Sequence, residues 1–292
     1  MTNQSVTDGR PPLKDFLADP SWQFAVVAHR GAWHGAPENS IESVELAISN
    51  GYEFVEIDVQ ATADGELVCL HDDTLERMTG QSGIVSQTKA AGITCLFLKE
   101  GAGGEGAPFS SSRPPLLPDL LAVTGDRIYV DVDVKHFRDL EKVAAFVKDH
   151  PSRHHINLKT VVESEADMRF VDELEQKTGV LVKPIVQVTA ETLGVYLGFL
   201  QQRSTPLVEG LFDSWSSFEL YAKAAQNSGT NLFLNSLDEV PSAEVTDTQS
   251  LADPDLGWGR LVEQGVRLIQ TDMPNALKEY SRKRSASTLT EH

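Results

Sequence analysis

The chain has almost no cysteine. Only Cys69 and Cys95 occur among its 292 residues, too few for a disulfide framework, and neither has a second thiol at the spacing a zinc site uses. Both are expected to be reduced packing residues. Basic residues are scarce too: 25 Lys and Arg stand against 43 Asp and Glu, a formal charge of −18. That balance repels nucleic-acid phosphates and anionic lipid surfaces at long range, which excludes polyanions as partners. It also means that handling a phosphate ester would need local positive charge, from a metal ion or from placed Arg and Lys. Long apolar runs are missing, since no stretch approaches the roughly 18 residues that span a bilayer. Residues 1–20 are polar, carry Asp, Pro and Gly, and lack the apolar centre of a secretory signal, so a cytoplasmic location is expected. Internal repeats are absent as well.

What is present is an ordinary globular composition, 40% hydrophobic and 23% charged, enough to bury a large core. Eight short β-branched runs punctuate the sequence, at residues 24–29, 54–60, 128–135, 156–160, 181–188, 207–212, 231–235 and 266–270. Helix-like stretches lie between them, at residues 40–50, 139–149, 164–178, 190–202, 216–227 and 255–264. Strict alternation of this kind predicts a parallel sheet. Eight such units close into a (β/α)8 barrel, whereas an open doubly wound sheet would give a similar alternation. Ser40 is placed to cap the first helix and Gly51 to stop it. Residues 63–118 break the rhythm and read as an insertion after strand two. It opens on a hairpin signal at Asp64-Gly65 with a short strand at residues 67–70, and ends in a Gly-, Ser- and Pro-rich stretch, residues 101–118, expected to be a mobile loop. One barrel domain over residues 21–280 is expected, with residues 1–20 an extension and residues 281–292 a frayed, flexible tail.

Side chains two apart in a strand share a face, so Glu56 and Asp58 point together while Val55, Ile57 and Val59 point away. Two carboxylates in an apolar interior need a cation or protons to neutralise them; salt bridges to nearby Arg or Lys are the alternative. In the third long run Asp131, Asp133 and Lys135 share a face in the same way. An all-oxygen cluster of Glu56, Asp58 and Asp133 suits a hard ion such as Mg²⁺ or Ca²⁺, and Asp131, deeper in the barrel, reads as a hydrogen-bonded structural acid. His29 ends strand one and is followed by Arg30-Gly31, at the barrel mouth where such folds place their chemistry. His71 closes the short strand and precedes Asp72-Asp73. Two histidines from separate segments can take up and deliver a proton.

Taken together, His29-Arg30-Gly31, Pro37-Glu38-Asn39-Ser40, Glu56-Ile57-Asp58, His71-Asp72, Asp133-Val134-Lys135, Asn235 and Thr271-Asp272-Met273-Pro274 resemble, in order and spacing, the glycerophosphodiester phosphodiesterase family. The resemblance runs over residues 24–277. It implies a (β/α)8 barrel with an insertion after strand two and a divalent metal held by Glu56 and Asp58. It further implies His29 and His71 as the acid/base pair, Arg30 as phosphate clamp and Lys135 facing a phosphate oxygen. Glu38 matches a loop acid able to approach metal or substrate. Asp133 stands where many relatives have Glu, so its shorter reach calls for a bridging water. The implied reaction is attack on phosphorus by a neighbouring hydroxyl of the substrate or by water, giving an alcohol and a phosphomonoester; a lyase or transferase stopping at a cyclic phosphate or a new diester is the alternative.

Trp33 and His34 follow the first motif directly. Trp33 is expected to stack on a sugar or polyol, or else to pack over the barrel mouth; His34 is expected to be supporting or exposed. Trp215 and Trp258 are expected at the mouth with Lys159, Gln187, Glu209 and Asn235. A polar rim with aromatics suits a small-molecule sugar phosphodiester, of the agrocinopine type, larger than glycerophosphocholine. Oligomeric state is not written in the sequence.

Overall fold

The computed structural model describes residues 9–290 apart from Ser204 and Pro241. Eight parallel strands close on themselves: β1 (Ala25–Ala28), β2 (Phe54–Ala61), β4 (Tyr129–Val134), β5 (Ile156–Val161), β6 (Leu181–Val188), β7 (Leu207–Phe212), β8 (Asn231–Asn235) and β9 (Val266–Thr271), with β1 hydrogen-bonded to both β2 and β9. Closure decides between the two architectures the alternation allows: this is a (β/α)8 barrel. Strand β3 (Leu67–Val68) pairs antiparallel to β2 and opens the insertion.

The helices follow from their caps. Ser40 accepts a hydrogen bond from Ser43 N, starting the helix Ile41–Ser49, and Gly51 takes the left-handed φ of 72° just beyond it. Ser164 and Asp167 form a capping box on the helix Glu165–Thr178. A second box, Thr246 with Gln249, starts a short helix, Asp247–Ala252, that the strand–helix alternation does not call for. The last expected helix splits into a wide turn, Asp255–Gly259, and the helix Arg260–Glu263.

Three expectations are corrected. Within residues 1–20, residues 1–8 lie outside the described residues, and the remainder packs into the barrel instead of standing before it as an extension. The helix Leu13–Ala18 plugs the barrel floor, burying Leu13 and Leu17 against Val27, Phe54, Tyr129 and Phe233, and Phe16 stacks on Trp22 at 4.5 Å. The stretch 101–118 is tied down rather than loose: Glu38 N donates to Gly101 O, Gly104 N to Arg77 O and Ser110 N to Leu98 O. In place of a frayed tail, the final helix, Pro274–Thr290, runs straight through residue 281; residues 291–292 lie outside the described residues. No helix among the described residues is long and apolar enough to cross a membrane.

Inside the barrel the side chains form layers. Above the apolar floor lies a charged layer, because register sets Glu56 beside Asp131 and Asp131 beside Asn157. Lys183, wholly buried, sits 2.7 Å from both Asp131 Oδ2 and Glu209 Oε2, over the ring of Phe233. Asp131 is thus the structural acid the sequence suggests, bonded also by Asn157 Nδ2. Removing one partner of a buried ion pair strands the others' charge. Lys183→Met is therefore expected to cost about 3–5 kcal/mol of stability, read as a lowered midpoint in denaturant; a loss under about 1 kcal/mol would show that the layer does not depend on this ammonium.

Candidate active site

The next layer up opens into a cavity of about 220 Å³ whose wall includes His29, Arg30, Glu56, Asp58, His71 and Asp133. Register brings the acids together: Asp58 and Asp133 are direct partners on β2 and β4, and one oxygen each from Glu56, Asp58 and Asp133 lies within 4.8 Å of the others. Asp133 therefore reaches the cluster despite its length.

A tight loop after β1 shapes the rest. Arg30 and Asn39 both adopt left-handed backbone, at φ 53° and 55°, and Asn39 N donates to Arg30 O at 2.9 Å. Gly31 is required between them, because a Cβ there would fall 2.2 Å from Ser43 Oγ. The loop aims Arg30 N–H at Glu56 Oε2 (3.0 Å) and lets the Asn39 amide clasp Asp58, donating to Oδ2 at 2.8 Å while accepting from Asp58 N at 2.9 Å.

Cations surround the cluster without closing on it. Lys159 Nζ lies 3.2 Å from Glu56 and 3.6 Å from Asp133, and Lys135 Nζ 3.3 Å from Asp58 and 3.6 Å from Asp133. A tight ammonium–carboxylate pair is nearer 2.7–2.9 Å, the spacing Lys183 achieves one layer below. Both readings of the acid pair are thus visible at once, salt bridging and an oxygen cluster with room between the ammoniums. Burial pushes the Glu56 carboxyl above its ordinary value, against the pull of Lys159. Burial acts on Asp58 too, but Lys135, His71, Arg30 and the Asn39 amide outweigh it and hold the group well below the usual range.

Each histidine is fixed by a carboxylate. His29 Nδ1 lies 2.8 Å from Asp272 Oδ1, and His71 Nδ1 lies 2.8 Å from Asp72 Oδ1. Engaging Nδ1 leaves Nε2 as the nitrogen of each ring that could exchange a proton with a ligand. Asp72 is held in turn by Arg77 through Nε (2.7 Å) and Nη2 (2.8 Å), and its carboxyl, which burial raises, is brought down to about 2 by Arg77 and His71. The partner of His29 is the residue sequence reasoning passed over: Asp272 was visible within Thr271-Asp272-Met273-Pro274 but carried no role. Lys183 and Arg77 are lone polar residues without a motif around them, and Gln270, directly before Thr271-Asp272, carried no role.

The remaining residues singled out in the sequence fall in several places. Glu38 is buried behind Arg30, bound by Arg30 Nη1 (3.2 Å) and Arg77 Nη2 (2.6 Å), outside the three-acid cluster. Trp33 does not line the cavity; its Nε1 donates to Asp272 Oδ1 at 3.0 Å and its ring leans on His34. His34 is exposed, with Nε2 donating to Asp272 O. Trp215 lies on the outside of the barrel, bonded to Glu219 and capped by the Arg260 guanidinium at 3.4 Å. Trp258 is core, its Nε1 donating to Ser236 Oγ. Gln187 is exposed and away from the cavity, whereas Lys135, Lys159, Glu209 and Asn235 do line it.

A family model described as glycerophosphoryl diester phosphodiesterase matches residues 29–188, more than half of the chain and the part that carries the acid cluster and both histidines. The chain belongs to this family. A second model, described only as a domain of unknown function, matches residues 182–281 of this family member. Among curated proteins, a glycerophosphodiester phosphodiesterase from Caldanaerobacter subterraneus is 36% identical over 112 residues, 38% of this chain and 44% of the relative. A probable glycerophosphodiester phosphodiesterase 1 from Mycobacterium tuberculosis is 48% identical over 61 residues, 21% of this chain and 22% of that protein. The chain thus spans less than half the length of the curated relatives it matches. Among solved structures, a glycerophosphoryl diester phosphodiesterase from Parabacteroides distasonis superposes with a TM-score of 0.73 at 21% identity, covering 91% of this chain and 90% of that one. A phosphodiesterase from Oleispira antarctica, in complex with its product sn-glycerol-3-phosphate, gives 0.64 at 21% identity, covering 89% and 96%. At those identities the structures establish the shared fold.

Proposed function

We propose that this chain is a divalent-metal-dependent phosphodiesterase that cleaves a small glycerophosphodiester or sugar phosphodiester into an alcohol and a phosphomonoester. The observation that carries the reading is the convergence, in one cavity, of a three-carboxylate cluster with two histidines that each have a carboxylate on Nδ1. The product named for the Oleispira structure is a phosphomonoester of the same kind.

Glu56, Asp58 and Asp133 fit a hard cation: the donors are all oxygen, they converge, and the flanking ammoniums stand back from them. Mg²⁺ or Ca²⁺ bound there would supply Lewis-acid polarisation of a phosphate oxygen. Arg30 and Lys135, both on the cavity wall, add fixed positive charge where the overall −18 would otherwise repel the substrate. Asn39 and the Arg30 amide hold Asp58 and Glu56 in place. His29 takes the proton of the attacking oxygen, either a neighbouring hydroxyl of the substrate or water, and His71 gives one to the departing alkoxide as its bond to phosphorus breaks. His71 suits the second role because its side chain is more exposed, 33% against 13% for His29, so the alcohol leaves on the open side. The test is phosphomonoester release from glycerophosphodiesters before and after EDTA treatment. Activity should vanish with the chelator and return with Mg²⁺ or Ca²⁺; a rate indifferent to chelation would remove the metal from the account.

A further inference from the structure

The carboxylate that fixes His29 is itself held from several directions. Asp272 Oδ1 takes His29 Nδ1 at 2.8 Å and the Trp33 indole Nε1–H at 3.0 Å. Its backbone O accepts from His34 Nε2 at 2.8 Å, and its backbone N–H donates to Asp247 Oδ2 at 2.8 Å. Trp33 and His34 come from the loop after β1 and Asp247 from the short helix Asp247–Ala252 after β8, whereas Asp272 directly follows β9. The side chain and both backbone groups of one residue are thus engaged at once.

Asp247 is the member that folding alone does not explain. It is 1% exposed and stands beside a second carboxylate, which burial and like charge both disfavour. Burial above all, with Asp272 adding, pushes its carboxyl above the ordinary value against the hydrogen bonds it accepts. Its Oδ1 is pinned by Ser236 Oγ and Thr271 Oγ1, each at 2.6 Å, and Trp258 Nε1 backs Ser236. Oδ2 is left for the Asp272 N–H. The helix that the strand–helix alternation does not call for therefore delivers a rigid acceptor to the residue that orients His29. A general base works from one tautomer and one orientation, and a carboxylate on a loop enforces them only if it cannot swing.

We propose that Trp33 and Asp247 are positioning residues for His29, clasping Asp272 by its carboxylate and by its backbone so that the imidazole keeps the angle and tautomer that proton uptake needs. The proposal rests on the reading of His29 as the base of a phosphodiesterase.

The test compares Trp33→Phe, which keeps an aromatic ring and removes the N–H, and Asp247→Ala, each in the wild type and in a His29→Ala background, with Mg²⁺ and a glycerophosphodiester. Each change should lower kcat by about tenfold with KM within about twofold of the wild type. On top of His29→Ala the further loss should stay below about twofold, since a residue acting through His29 has nothing left to act on. The same loss in both backgrounds would make the contacts merely structural and overturn the proposal. So would a raised KM at constant kcat, which would turn Trp33 into a substrate contact. If Asp247→Ala does not fold, Trp33→Phe alone decides.

Nitrogen NMR of labelled imidazoles reads the clasp without turnover. The His29 signals, identified by their loss in His29→Ala, should show the proton on Nδ1 in the wild type and exchanging between Nδ1 and Nε2 in both variants. Signals unchanged from the wild type would overturn the clasp. Altered signals in a protein that turns over no diester would support the clasp and remove the phosphodiesterase reading.

Discussion

Asp58→Asn is expected to lower diester turnover by about three orders of magnitude, as several kcal/mol of Lewis-acid stabilisation disappear. Asp58 is the most constrained of the three acids. It is 1% exposed, clasped by Asn39 and faced by Lys135, Arg30 and His71. Replacing it with a near-isosteric amide removes one negative charge and leaves Lys135 and Arg30 facing a cluster that no longer balances them. Divalent-ion affinity, measured by calorimetry beside the rate, should fall with it, because the amide oxygen is a weaker ligand for a hard ion. Retention of more than about a tenth of wild-type turnover, with metal affinity intact, would mean that the cluster is an ion-pair network and nothing more.

The histidines are expected to separate by leaving group. General acid–base catalysis contributes about 10²–10⁴-fold, so His29→Ala and His71→Ala should each lose that much on a glycerophosphodiester. A p-nitrophenyl ester departs without needing a proton. On that substrate His71→Ala should recover most of its deficit, while His29→Ala should stay impaired, since the nucleophile must still be deprotonated. Equal losses on both substrates for both variants would contradict the division of labour, and recovery by His29→Ala in place of His71→Ala would reverse it.

The barrel was legible because most strands are short apolar, largely β-branched runs between turn residues, and the strand boundaries at 181–188, 207–212 and 231–235 coincide with the observed ones. Period-two spacing likewise put Glu56, Asp58 and Asp133 on facing sides of neighbouring strands, where the structure has them. Less legible was anything that depends on a side chain's final direction. Trp258 follows the mouth loops in sequence yet folds under, onto Ser236, because a large ring gains more from burial than from a wet rim. Glu38 carries the right charge beside the right motif, but two guanidinium groups reach it first. The floor helix Leu13–Ala18 was readable in principle, from Leu13, Phe16 and Leu17 at helical spacing, and was masked by the polar residues around it. Asp272 shows the general limit: a residue that orients a histidine from across the fold has no spacing of its own to announce it, whereas Asp72 stands directly beside His71.

The most direct test is a phosphorus NMR time course of a glycerophosphodiester with the intact protein and Mg²⁺ or Ca²⁺. Conversion of the diester resonance to a phosphomonoester, with or without a transient cyclic phosphate and blocked by EDTA, is the predicted result. A diester signal that persists unchanged across both ions would contradict the account.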